Sequence, residues 1–285
     1  REEFDDFLPI GDRDLSPNCP TPPIFSHYSR GVSTSRDDVA INFNCDHLAK
    51  NMEAMIDAYN AQVETYHRLK KKPAKVEDFV DYASGKIAWS SGLKNDLLRY
   101  RKGEFVEDKL RPSLYRPFTA TWLFFDRVMN ERVYGFPEIF PTPEAKNLSL
   151  CITDAGSEKP FMLIATDRIA DLHIVGAGAS SQCFPLYRFS EDQSVQKSGE
   201  HFERRDNIAP EALALFREFY RDDRITREDI FHYVYAVLHH SAYRTRYAEN
   251  LKRELPRIPF VGVAARAKGS SPASLFSLAS IETMR

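Results

Sequence analysis

The sequence predicts a mixed α/β fold of the α+β kind, with a helical N-terminal part, a short-stranded sheet in the middle and three C-terminal helices. Three observations carry that expectation. Leu48, Met52, Met55, Ile56, Tyr59, Val63 and Tyr66 recur at helical spacing and make one long apolar stripe. From Leu114 the period shortens to brief apolar and aromatic runs broken by Pro, Gly, Asn and Asp. After Pro210 the helical period returns.

The elements follow in order. Residues 9–23 are Pro-rich and polar and read as an irregular entry. The long helix spans Asp46 to about Lys71. Lys70–Lys72 suit the negative end of its dipole, and Pro73 stops it. A short helix is expected near Val76–Ala83. Another follows from a Ser90 or Ser91 cap to about Arg101, burying Leu93, Leu97 and Leu98. Strands are expected at Trp122–Phe125, Leu148–Thr153, Phe161–Ala165, Leu172–Val175 and Cys183–Tyr187, and FPEIFPTPEAKN reads as a loop or a Pro-initiated short helix. Residues 190–208 are polar and read as a surface loop. Pro210–Tyr220 opens with Pro at its first turn. Thr226 and Asp229 form a capping box before the stripe Ile230, Val234, Val237 and Leu238. A last helix, capped by Ser241, carries Arg244, Arg246, Lys252 and Arg253 and ends at Pro256. These elements suggest a mostly helical part over 1–110, a strand-rich part with its helices over 111–260, and a tail over 261–285.

Length and composition exclude several classes. The chain has 285 residues, 42% hydrophobic and 28% charged, which is ordinary for a globular protein. Its 20 Phe and 13 Tyr supply ample apolar area for a core. No apolar run approaches membrane-spanning length, and the acidic N-terminal residues lack a signal-peptide pattern. The absence of an initial Met reads as a fragment or a processed form. Cys19, Cys45, Cys151 and Cys183 have no zinc-site spacing. Cys151 and Cys183 read as buried thiols, so a reducing, intracellular setting is expected. The net charge of −2 hides an uneven distribution. Basic side chains dominate 86–102 and 241–268, whereas 1–15 is acidic, so a basic face is compatible with near-neutral charge.

Catalytic motifs are missing. Thr21-Pro22-Pro23-Ile24 has two prolines but neither the amide or carboxylate nor the aromatic with which an amino-methyltransferase grips a flipped base. Gly176-Ala177-Gly178 follows an expected strand, yet no helix follows to receive a cofactor phosphate, so it reads as a tight turn. No Walker A or Gly-x-Ser-x-Gly motif occurs. Asp167, Asp171 and His173 lie close together in sequence, and turn chemistry explains them better than a metal.

Four stretches carry a resemblance. Ile230–Pro259, Leu114–Asp126 (LYRPFTATWLFFD) and Cys183–Phe189 (CFPLYRF) resemble the specificity region of single-chain restriction–modification enzymes of the type ISP and type IIG kind. Tyr28–Phe43 (YSRGVSTSRDDVAINF) looks like the segment those enzymes place after their methyltransferase motifs. The resemblance spans roughly residues 1–260 in the family's order. It implies a duplex-DNA recognition module that directs adenine methylation and restriction by methyltransferase, helicase and nuclease domains absent from this chain. It further implies that S-adenosylmethionine, ATP and Mg belong to those domains, that this chain needs no cofactor or metal of its own, and that the protein works in the bacterial cytoplasm.

The residues suggest candidate DNA contacts of their own. Phosphates are held by cations and hydroxyls, often around a glycine. Arg30, Ser33, Thr34 and Arg36 surround Gly31 in such a pattern. Ser90, Ser91 and Lys94 lie at a helix start, where backbone N–H groups favour anions. Arg116 follows Tyr115 and points either toward DNA or inward. No catalytic residue and no metal ligand is expected. The alternative reading is a scaffold or protein-interaction domain of such an assembly, and a third is a stand-alone enzyme built on Asp167–His173.

Overall fold

A computed structural model describes residues 2–13, 21–82, 85–191 and 202–261. Cys19 and residues 262–285 of the expected tail lie outside the described residues. In chain order the elements are α1 (Glu2–Asp5), β1 (Leu8–Pro9), β2 (Ser29–Arg30), α2 (Asp37–Ala40), β3 (Ile41–Asn42), α3 (Cys45–Arg68), α4 (Ser91–Leu98), β4 (Leu110–Arg116), β5 (Thr119–Phe124), α5 (Phe136–Ile139) and β6 (Ser149–Thr153). They continue with β7 (Leu163–Thr166), β8 (Ile169–Ala170), β9 (Ser181–Pro185), β10 (Tyr187–Glu191), β11 (Phe202–Asp206), α6 (Pro210–Tyr220), α7 (Arg227–His239), α8 (Ser241–Arg246), α9 (Ala248–Arg253) and β12 (Arg257–Ile258). The mixed α/β class expected from the sequence is the class observed.

The chain divides into two compact units, one drawn from 1–30, 146–167 and 175–285, the other from 31–145 and 168–174. The first holds a sheet in the order β2-β9-β6-β7 and the pairs β1–β12 and β10–β11. Strands β6 and β9 are buried along their whole length, with polar Ser149, Thr153, Ser181 and Gln182 enclosed beside the apolar positions. Cys151 and Cys183 face each other across them as buried free thiols. Ile230, Val234, Val237 and Leu238 of α7 join this core with Leu150, Ile152 and Phe184. The capping box of Thr226 and Asp229 forms with both of its bonds. Tyr233 donates to the Pro259 carbonyl at 2.7 Å and accepts from the Val261 N–H at 2.8 Å, tying the C-terminal segment to α7.

The second unit packs α3 and α4 against a sheet in the order β3-β5-β4-β8. Asn44 caps α3 by accepting from the His47 N–H at 2.9 Å, two residues before the expected start. Met52, Ile56, Tyr59 and Val63 bury its stripe against Leu93, Leu97 and Phe124. The Tyr59 hydroxyl donates to the Arg101 carbonyl at 2.8 Å, the kind of partner a buried phenol requires.

Several expectations change. The compact units do not divide at residue 110. Strands β4 and β5 bring Leu110, Trp122 and Phe124 to the α3 core, so they belong with the helices before them. The expected helix from Val76 is a single 3-10 turn, Val76–Asp78. The strand expected at Leu172–Val175 lies earlier, at β8. Asp171 ends it, because its carboxylate accepts from the His173 N–H at 2.8 Å and closes a turn. Of the expected 190–208 loop, residues 192–201 lie outside the described residues, and the flanking 190–191 and 202–206 belong to the antiparallel pair β10–β11. The last expected helix is two, α8 and α9, meeting at Tyr247, and His240 rather than Ser241 occupies the N-cap of α8.

Candidate nucleic-acid interface

Arg30 is the one candidate in the first unit. It lies on β2 with its side chain 49% exposed, and its nearest anion is Asp154 at 3.6 Å. Asp154 is held more closely by Arg13 at 2.5 Å and Ser180 at 2.9 Å. Burial raises the Asp154 carboxyl, but its bonds from Arg13, Ser180 and Gln182 outweigh that and hold it below the usual carboxylate range. Arg30 therefore contributes an accessible cation.

In the second unit the structure turns most of the expected anion-binding groups inward. Arg36 is buried, and its guanidinium donates to the Ala88 carbonyl at 3.3 Å, to Ser90 Oγ at 2.7 Å and to the Met129 carbonyl. Burial pulls its pKa down, and the Glu131 charge works the other way. Thr34 is buried too, accepting from the Arg36 N–H at 3.1 Å and donating to Asp37. Ser90 caps α4 by accepting from the Leu93 N–H at 3.3 Å and donates to Glu131. Both Glu131 carboxylate oxygens accept from the Gly92 N–H at 3.1 Å. The helix start does attract an anion, as expected, but that anion is the protein's own Glu131. Lys94 pairs with Glu77 at 2.7 Å, and Ser91 is exposed.

Gly31 has a different purpose from the anion approach suggested by its neighbours. A Cβ there would lie 2.4 Å from the Asp171 carbonyl oxygen and 2.7 Å from the Leu172 nitrogen. Glycine lets Val32 bond to both sides of that segment: its N–H donates to the Ala170 carbonyl at 2.8 Å, and its carbonyl accepts from the Leu172 N–H at 2.7 Å.

Arg116 points inward. It donates to Asp171 at 2.7 Å and to the Tyr115 carbonyl at 2.6 Å, with its guanidinium 3.8 Å from the Tyr115 ring centroid. The Tyr115 hydroxyl donates to Asp37 at 3.0 Å. Asp171 is pushed up to about 6, first by burial and then by Asp37, against the His173 N–H and Arg116. A carboxyl whose pKa rises on folding binds its proton more tightly in the folded state. Its contribution is therefore most favourable below the unfolded value of about 4 and declines as pH rises to about 6. Relative to Asp171→Asn, the parent is expected to lose of the order of 2 kcal/mol of stability between these pH values. Urea unfolding at each pH checks this, and parallel pH profiles for the two proteins would contradict it.

What remains at the surface of this unit differs from the expected set. Ser33 is half-buried, and its backbone exchanges bonds with Arg132 at 2.9 and 3.0 Å. Arg132 is exposed, and its guanidinium donates to the Glu131 carbonyl at 3.1 Å. Ser35 is exposed with φ +55°, and Tyr134, two residues beyond Arg132, has φ +47°. Strand β8 runs parallel to β4 toward the β4–β5 turn, and Val32 pairs in parallel with Asp171 just beyond it. Ser33 therefore lies toward the same end of the sheet as the Pro117–Phe118 turn. Arg132 had no signal in the sequence, because only the folded pairing brings it to Ser33. Among the described residues no group of three or more His, Cys, Asp or Glu side chains is placed to hold a metal ion.

The Type ISP C-terminal specificity domain matches residues 23–269. The chain belongs to that family. As a Type ISP specificity domain it is similar to part of a nuclease-deletion mutant of the Type ISP restriction–modification enzyme LlaGI, solved in complex with a DNA substrate mimic. That likeness has 30% identity and a TM-score of 0.75 over 92% of this chain and 22% of that one. It is similar as well to part of a cryo-EM DrdV–DNA complex, at 32% identity and a TM-score of 0.77 over 92% of this chain and 24% of that one. The ATP-dependent Type ISP enzyme LlaBIII bound to DNA shares the fold, at 23% identity and a TM-score of 0.75 over 92% of this chain and 16% of that one. The chain thus spans less than a quarter of each of these proteins. No curated protein matches it. Among the described residues no helix is long and apolar enough to cross a membrane.

Proposed function

We propose that this specificity domain recognises a target sequence in duplex DNA on behalf of a larger restriction–modification protein. The observation that carries the reading is family membership over residues 23–269, joined to a likeness above 30% identity with a DNA complex. The surface groups support it. Arg30 and Arg132 present cations, Ser33, Ser35 and Ser91 present hydroxyls, and such groups hold phosphates and set register while other side chains read base edges. Of the expected contacts, Arg30, Ser33 and Ser91 stay in this role. Thr34, Arg36, Ser90 and Arg116 instead bond within the unit, and Lys94 pairs with Glu77 at its surface.

In this reading, adenine methylation, ATP-driven motion and cleavage reside in partner domains of the full-length protein. S-adenosylmethionine, ATP and Mg serve those domains, and the whole acts in the bacterial cytoplasm. This chain chooses where they act. Replacing it, within the full-length protein, by the corresponding region of a relative with another target should transfer that relative's methylation sequence. Retention of the original methylated sequence would overturn the assignment.

A further inference from the structure

We infer that Phe118 is a wedge that this domain presses between adjacent bases of duplex DNA, an inference that rests on the DNA-recognition reading. Phe118 is 90% exposed, the most exposed of the large hydrophobic side chains among the described residues. It sits in a two-residue turn between β4 and β5, closed by the pairing of Arg116 with Thr119. Pro117 fits the first turn position, and Phe118 takes the second with φ +62°, where glycine or asparagine is the residue of choice. A phenylalanine there is doubly unfavourable. Its backbone is in the left-handed region, and its ring lies in water. Glycine would relieve both, so the fold alone gives no reason for the ring. Strain of this kind at an exposed tip marks a place where binding makes use of the residue.

The turn is built to stay rigid. Behind it Arg116 is fixed by Asp171 and lies over Tyr115, and Tyr115 is fixed by Asp37. The strand pair also shifts register between Leu114 and Arg116, a bulge that re-aims the tip. A braced tip can deliver an apolar ring between base pairs without first losing much freedom of its own. Proteins that kink duplexes insert rings of this type between base steps.

The neighbourhood favours DNA over a protein surface. Ser33, bonded to Arg132, lies toward the same end of the sheet, offering hydroxyl and cationic groups for flanking phosphates. Strand β3 runs antiparallel to β5 toward this turn, and Phe43, just past its end, is 75% exposed. Aromatic rings beside phosphate-binding groups suit a base stack framed by its backbone.

The test compares the full-length protein with Phe118→Gly and Phe118→Trp variants on target duplexes carrying 2-aminopurine at successive positions. Binding by the parent should raise 2-aminopurine fluorescence at one step. Phe118→Gly should melt no lower than the parent, lose that signal and bind roughly tenfold more weakly. Phe118→Trp should keep the signal. A Phe118→Gly protein that binds with parental affinity and an unchanged fluorescence pattern would overturn the wedge and leave the DNA reading intact. A variant unaltered on DNA but impaired in association with the protein's other domains would assign the ring to a protein contact instead. A parent that binds no duplex at all would remove the DNA reading, and the wedge with it.

Discussion

Arg36→Ala is expected to destabilise the unit that holds it by about 3–5 kcal/mol, the usual cost of removing one partner from a buried charged network. The guanidinium bonds the Ala88 and Met129 carbonyls and Ser90 Oγ, joining three segments far apart in sequence. Truncation would leave these acceptors unsatisfied in the interior and leave the Glu131 charge without its nearby cation. Arg36→Lys should recover little, because a single ammonium cannot span three acceptors in that fan. Urea unfolding of parent and variants measures the loss. An unchanged midpoint would mean that the guanidinium is free, restoring Arg36 as a phosphate ligand.

Leu238→Ala should cost a comparable amount, about 2–5 kcal/mol. Leu238 is fully buried in α7, in a core shared with Ile230, Val234 and strands β6 and β9. Removing its terminal carbons gives up transfer energy and leaves a cavity that close-packed neighbours fill only in part. The loss belongs to the other unit, so combining it with Arg36→Ala gives a check on the division. Separate unfolding transitions would each move with their own mutation. Unchanged thermal stability of Leu238→Ala would contradict its place in the core.

The sequence made the long elements legible because their signals are local. The stripe from Leu48 to Tyr66, the box of Thr226 and Asp229, and Pro210 at a helix start each lie within a few turns of one helix. The shortest strands had no such signal. Strands β1, β2, β3, β8 and β12 have two residues each and exist only through distant partners. The division into units was hidden for the same reason, since the chain crosses between them more than once.

The candidate interface was legible in kind and less so in detail. Cations, hydroxyls and a helix start do gather along Ser29–Arg36 and Ser90–Lys94, as phosphate chemistry requires. The sequence could not reveal that Glu131 occupies the helix start or that Asp171 takes Arg116. Burial decides whether a cation meets solvent or an internal acceptor, and burial depends on contacts that span the chain. Arg132 and Phe118 come forward because folding leaves them exposed while it encloses their neighbours.

The most direct test of the DNA-recognition account is a salt titration of duplex binding by the full-length protein and its Arg30→Ala/Arg132→Ala variant. Each phosphate contact contributes about 0.9 to the slope of log affinity against log salt. The parent should bind its target with a steep negative slope. The variant should bind all duplexes more weakly, with a slope shallower by about two units and its preference for the target retained. Affinity that ignores salt, or no duplex binding at any salt concentration, would contradict the account.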